Sequence, residues 1–317
     1  MGVMNFQKIL TLSGWGLSKA IYDRLPWEQK NIAWEHWLYL NPLEREVLFK
    51  KTLDEAEKPM CFMGLSLGGF LAHDIVVRNS GHKNLAGAVF FALAESFVKT
   101  PLVSLKTRTG LRTTTVPSEQ ISSTYPLPSP LINPYGNNSN PLQAMLRTLS
   151  AAKHTIKSLK NDNVIKPMLT NFITAGLSKS EQQALTEADL SQLQLDIPKQ
   201  PRDSTNKANN REFEKITEAL MSGLKFLMQV QVTLPALLLK EEHPNKKNPG
   251  TRNDNARLNP LEKPFLVFQG NADAILDHRG AELFAKKAGY SYHAIRGGGH
   301  FIPFTQPEIV VKTLKNC

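Results

Sequence analysis

Residues 62–76, FMGLSLGGFLAHDIV, place a serine between glycines where an apolar run meets a helical pattern. The residues before the bend, Pro59-Met60-Cys61-Phe62-Met63, are short and apolar like a buried strand, while Leu67, Leu71 and Ile75 recur every four residues like one helix face. Ser66 therefore stands on a strand-to-helix bend. The order Gly64-Leu65-Ser66-Leu67-Gly68 fits G-x-S-x-G, in which a sharp turn forces the serine into strained backbone angles and the flanking glycines leave room for the chain to pass. An ordinary Gly/Ser turn would satisfy the five residues alone. The strand on one side and the helix on the other favour a nucleophile.

Outward from this bend, strand-like and helix-like segments alternate. KILTLSG (8–14) and NIAWEHWLYL (31–40) read as strand-like, a helix starts at Pro42, and PMCFMG leads into the helix that runs to Arg78. LAGAVFFALA (85–94) is the next strand. Alternation of this kind predicts a parallel sheet with crossover helices. Asn41-Pro42-Leu43-Glu44 supports the first helix, with Asn as N-cap, Pro in the first turn and Glu three residues after the cap. After residue 100 the character changes to a Thr-, Ser-, Pro- and Asn-rich stretch without period. Helical patterns follow, one with Leu142, Met145, Leu149, Ala152 and Ile156 on a stripe and another around 211–239, separated by the polar PKQPRDSTNKANN. The buried-strand signal returns at KPFLVFQGNAD (263–273), followed by a helix through HRGAELFAKKA and a last strand at YSYHAIRG. The expected division is a core from 1–100 and 259–317 with a lid or cap insertion over 101–258.

The 317 residues suffice for a substantial core without disulfide staples. The two cysteines, Cys61 in a strand and Cys317, form neither a disulfide framework nor a metal-ligand set, which suits a reducing cytoplasm. The N-terminal residues show no secretion or myristoylation signal. GLKFLMQVQVTLPALLLK is interrupted by Lys225, Gln229, Gln231 and Pro235 and falls short of a membrane span, so no stable membrane insertion is expected. The formal charge of +10 favours acidic partners, yet without a zinc pattern, RNP motif or aromatic-rich basic run no nucleic-acid role is expected.

An acyl-transfer serine needs a base and a group to orient that base. Asp273 stands just after the apolar run Pro264–Phe268, at a strand's C-terminal end, and His300 follows the last strand in RGGGHFIPF, where three glycines let a loop bring the imidazole back over the sheet. Asp277 is the alternative acid, with Asp273 preferred as nearer the strand end. His73 lies two turns into the helix after Ser66, too far along its axis to reach the hydroxyl, and reads as a surface or packing histidine. The other histidines have no comparable loop setting. The first strand ends in LSGWG, so the amides of Trp15 and of Leu67, the residue after the serine, are the candidate oxyanion donors, and the Trp15 indole could also wall an acyl pocket.

With SGWGLS, GLSLGGFLA, GNADAIL and GGGHFIPF in place, the chain resembles the α/β-hydrolase superfamily, and more narrowly the pimeloyl-acyl carrier protein methyl ester esterases of biotin synthesis. The resemblance covers roughly residues 6–97 and 262–315 and is vaguer through the insert, where SGLKFLMQVQV is similar to a lid helix. It implies an α/β-hydrolase fold, a mostly parallel sheet with flanking helices and a large, mainly helical lid insert. It also implies a triad of Ser66, Asp273 and His300, an oxyanion hole at Trp15 and Leu67, and no metal or cofactor. Two departures stand out: Ser13 replaces a histidine these enzymes often carry before Gly-Trp-Gly, and no D-x-x-G-x-G follows the second strand. The insert is also longer than the family leads one to expect.

The expected activity is that of a serine carboxylesterase acting on an acyl-chain ester, with the methyl ester of a pimeloyl chain on acyl carrier protein preferred. Alternatives are an esterase, lipase or thioesterase for small acyl substrates and a non-catalytic binding protein on the same fold. Residues 101–260 hold twenty Lys and Arg against thirteen Asp and Glu. On the helix expected around 141–161, Lys153, Lys157 and Lys160 form a ridge beside the apolar stripe, with Arg147 further round, a candidate docking surface for an acidic carrier protein.

Overall fold

The computed structural model describes residues 5–95, 162–197, 207–230, 232 and 263–316. Six strands, β1 (Lys8–Leu12), β2 (Glu28–Ile32), β3 (Met60–Leu65), β4 (Leu85–Phe91), β5 (Phe265–Gly270) and β6 (Ser291–Ile295), form one sheet in the order β2-β1-β3-β4-β5-β6. Every neighbouring pair is parallel. Parallel strands covered on both faces read as unbroken apolar runs, and β3 and β5 are buried at every position.

Parallel strands also require crossovers. α1 (Trp34–Tyr39) and α2 (Pro42–Asp54) lead from β2 to β3, and α3 (Leu67–Arg78) from β3 to β4. The expected capping box opens α2: Asn41 Oδ1 accepts from the Glu44 amide at 3.0 Å, and Glu44 Oε2 accepts from the Asn41 amide at 2.8 Å. Between β4 and β5 the described residues hold α4 (Asp162–Gly176), α5 (Lys179–Ala184), α6 (Glu187–Leu193) and α7 (Lys207–Gln229). α8 (His278–Ala288) then joins β5 to β6, and α9 (Ile302–Thr305) and α10 (Pro307–Lys315) follow β6.

Residues 31–40 are not one strand. Strand β2 ends at Ile32, and the chain turns into α1. Trp34 and Trp37 are both fully buried; three residues apart, they share a helix face but would lie on opposite faces of a strand. β2 itself, EQKNI, is a half-exposed sheet edge and lacks the apolar signature of its neighbours. The helical pattern around 211–239 begins earlier than expected, since the last residues of the polar separator already belong to α7. No helix among the described residues is long and apolar enough to cross a membrane.

Candidate active site

The bend after β3 is as sharp as its glycines suggest. Ser66 adopts φ 50° and ψ −120°, a positive-φ conformation that a residue with a side chain rarely occupies. Its amide donates to the Phe91 carbonyl at 2.8 Å, tying the bend to β4, and its carbonyl accepts from Phe70 to start α3. Gly68 is required by close approach, because a β-carbon there would lie 2.2 Å from the Leu12 carbonyl oxygen. α3 thus starts directly against the end of β1.

Asp273 and His300 come together in the segments that follow the C-terminal ends of β5 and β6. His300 Nδ1 donates to Asp273 Oδ2 at 2.7 Å, with both side chains sealed from solvent. Asp273 Oδ1 accepts from the Ile275 and Leu276 amides at 2.7 and 3.1 Å, and Oδ2 also accepts from Gln269 Nε2 at 2.7 Å. Four donors on its two oxygens fix the orientation of the carboxylate. The alternative acid, Asp277, is placed elsewhere: it caps α8 by accepting from the Arg279 amide at 3.2 Å.

Ser66 Oγ and His300 Nε2 are two of the eight buried side-chain polar atoms without a hydrogen-bond partner among the described residues, and both residues are 1% exposed. Leaving a buried hydroxyl and a buried ring nitrogen unpaired costs about 1–3 kcal/mol each. What sets these two apart from the other unpartnered atoms is that they belong to the strained serine at the end of β3 and to the imidazole held by Asp273.

Trp15 lies in the loop after β1, and Leu67 opens α3, so the Leu67 amide is one of the donors that a helix start leaves without an intrahelical acceptor. Their side chains converge on Gly223 of α7, where a β-carbon would meet Trp15 Cδ1 at 2.9 Å and Leu67 Cδ2 at 3.1 Å. The Trp15 indole donates to the Leu220 carbonyl at 2.6 Å and meets Phe172 of α4 edge-on with centroids 5.0 Å apart. Phe172 in turn meets Phe301, and Phe301 stands edge-on to the His300 ring. This aromatic row joins the loop after β1 to the histidine loop.

His73 is a buried packing residue, not a surface one: its Nε2 lies 2.8 Å from the Tyr290 hydroxyl among Phe90, Phe284 and Tyr290, and burial pushes its pKa down to about 3. Arg147, Lys153, Lys157 and Lys160 lie outside the described residues. Two site neighbours were missed in the sequence. Gln269 is a lone polar residue within the buried strand FLVFQG, and Glu181 sits in the S-x-x-E capping box at Ser178. Both signals were visible.

An esterase from Thermogutta terrifontis superposes with a TM-score of 0.52 at 12% identity, over 99% of this chain and 90% of its own. A hydrolase from Oleispira antarctica gives the same TM-score at 9% identity, over 99% and 93%. The chain has the α/β-hydrolase fold. A candidate non-heme bromoperoxidase from Mycobacterium tuberculosis shares this α/β-hydrolase fold with a TM-score of 0.50 at 11% identity, over 98% and 91%. No protein-family model and no curated protein matches the chain in sequence. At such identities the likeness concerns the α/β-hydrolase scaffold, and the reaction has to be argued from the side chains.

Proposed function

We propose that the chain is a serine carboxylesterase. The observation that carries this reading is the pair of sealed, unpartnered atoms Ser66 Oγ and His300 Nε2, on an imidazole whose other nitrogen is fixed by Asp273. Ser66 Oγ attacks the ester carbonyl carbon as its proton passes to His300 Nε2, and the Asp273 carboxylate stabilises the imidazolium. The Leu67 and Trp15 amides receive the oxyanion. Collapse breaks the carbon–oxygen bond of the ester, and His300 returns the proton to the leaving alcohol. Water then repeats the sequence on the acyl-enzyme, releasing a carboxylic acid and restoring the serine.

The preferred substrate is the methyl ester of a pimeloyl chain on acyl carrier protein, in a cytoplasmic biotin pathway. This finer reading rests on the resemblance of the motifs and on the basic excess of residues 101–260. A general esterase for small acyl groups is the second reading, favoured by Ser66 and Trp15 each being only 1% exposed, with Trp15 packed against α7.

A fluorophosphonate probe should label wild-type protein at Ser66, and folded Ser66→Ala should stay unlabelled; equal labelling of both would overturn the proposal. Charge reversal of Lys153, Lys157 and Lys160 to Glu should then lower kcat/KM for a carrier-linked ester, increasingly at low salt, while sparing a small ester. Unchanged rates on both would move the assignment to the small-substrate esterase.

A further inference from the structure

The loop that carries His300 is Gly297-Gly298-Gly299, a sequence with little stiffness of its own. Its order comes from where its amides are tied. Gly297 donates to Asn271 Oδ1 at 2.7 Å and Gly298 to the Ile295 carbonyl at 3.1 Å, both ties to the strand-end region that the histidine belongs to. The next two amides cross to the segment between β4 and β5. Gly299 donates to Glu181 Oε2 at 2.9 Å and His300 to the Gly176 carbonyl at 2.6 Å.

Glu181 is an unusual residue to find there. It is only 6% exposed, and its hydrogen bonds come from amides: Ser178 N at 2.8 Å and Gly299 N at 2.9 Å on Oε2, and Gln306 Nε2 at 3.2 Å on Oε1. The capping of α5 explains the Ser178 contact alone, since capping boxes ordinarily sit on exposed helix starts. The contacts to Gly299 and Gln306 lie on either side of His300 in the chain, so one carboxylate grips both flanks of the histidine. A carboxylate withdrawn from water is costly unless its lone pairs are filled, and here three donors fill them.

We propose that Glu181 is a positioning residue for the proposed ester hydrolysis: it sets the reach of the His300 imidazole toward Ser66 by clamping the histidine loop from the insert side. This rests on the serine-esterase reading. Glu181 does not touch the reacting atoms; it acts through the backbone of Gly299, while Asp273 acts on the ring. A histidine displaced by about 1 Å costs on the order of 100-fold in rate, so the clamp belongs in kcat and not in substrate affinity.

The test compares wild type, Glu181→Leu and Glu181→Gln in full-length protein, with circular dichroism to verify folding. Leu keeps the volume and removes the acceptors. Gln can keep every contact, because its carbonyl serves Gly299 and Ser178 while Gln306 flips its amide. The expected result is a kcat for Glu181→Leu about 10- to 100-fold below wild type with KM within about twofold, a matching drop in the rate of fluorophosphonate labelling at Ser66, and rescue to within about threefold by Glu181→Gln. Wild-type turnover in folded Glu181→Leu, or loss in Glu181→Gln as deep as in Glu181→Leu, would overturn the positioning role while leaving the esterase reading intact. Should Glu181→Leu not fold, Glu181→Asp withdraws the carboxylate from Gly299 by one methylene. A loss of kcat there supports the clamp, and unchanged kcat overturns it. Absence of labelling in wild type itself would sink the esterase reading and this inference together.

Discussion

Asp273 Oδ2 and His300 Nδ1 lie 2.7 Å apart with no solvent reaching either side chain. An ionised carboxylate only accepts, so this contact keeps the proton on Nδ1 and leaves Nε2 bare to receive one. The backbone amides of Ile275 and Leu276 and the side-chain amide of Gln269 hold the same carboxylate, so its orientation survives without the histidine.

Asp273→Asn should therefore cut ester hydrolysis by on the order of 10^4, by disrupting the tautomer and removing the countercharge of the imidazolium. Asp277→Asn should change little in turnover or stability, since Asn caps a helix about as well as Asp. Steady-state kinetics on the two variants decide it. A deeper loss at Asp277 would put the acid at the start of α8.

Strain at Ser66 yields a prediction on stability. At φ 50° and ψ −120° a side chain costs about 1–3 kcal/mol, which glycine avoids. Ser66→Gly and Ser66→Ala should both be inactive, with Ser66→Gly the more stable of the two by ~1 kcal/mol in urea unfolding. Equal midpoints and slopes would show that the bend carries no strain.

Gly223 fixes how closely α7 lies over Trp15 and Leu67. Gly223→Val places a branched side chain where even a β-carbon meets Trp15 Cδ1 at 2.9 Å and Trp34 Cζ3 at 3.1 Å. Overpacking of this kind costs about 1–3 kcal/mol. The Tm should fall and turnover with it, because two of the three neighbours met there, Trp15 and Leu67, are the candidate oxyanion residues. A Tm equal to wild type would mean that α7 yields freely.

His73 makes stability depend on pH. Its folded pKa of about 3 lies below the ordinary histidine value of 6.5, so between these values the unfolded chain holds a proton that the folded protein refuses. Stability from this site is complete above that window and falls as pH drops through it, by up to ~1.4 kcal/mol per pH unit. Urea titrations at pH 7, 5.5 and 4 should show a steeper loss for wild type than for His73→Gln. Parallel losses would exclude His73 as the source.

The serine, acid and histidine were legible because each sits at a strand end announced by an apolar run, with glycines where the backbone has to crowd or turn. The edge strand β2 was not, because an exposed edge carries EQKNI in place of a buried pattern, and two tryptophans then drew the following helix into the same segment. α4 could have been read from Ile165, Met168, Leu169, Phe172 and Ile173, one helix face, and α5 and α6 from their capping boxes. What no local pattern could supply was the pairing of Glu181 with Gly299, a contact between segments far apart in the chain whose only trace is a glutamate in a cap.

The parallel register of β4 against β5 joins Phe91 to Phe268 across the whole insert. On the ribosome the first four strands emerge well before their fifth neighbour exists, and at about 5–20 residues per second the wait lasts roughly ten to thirty seconds. During that interval Phe90 and Phe91 lie on an open sheet edge, a template for aggregation. Closing a loop of this length makes the pairing slow as well as late. The half of the molecule that carries Ser66 is thus made well before the half that carries His300.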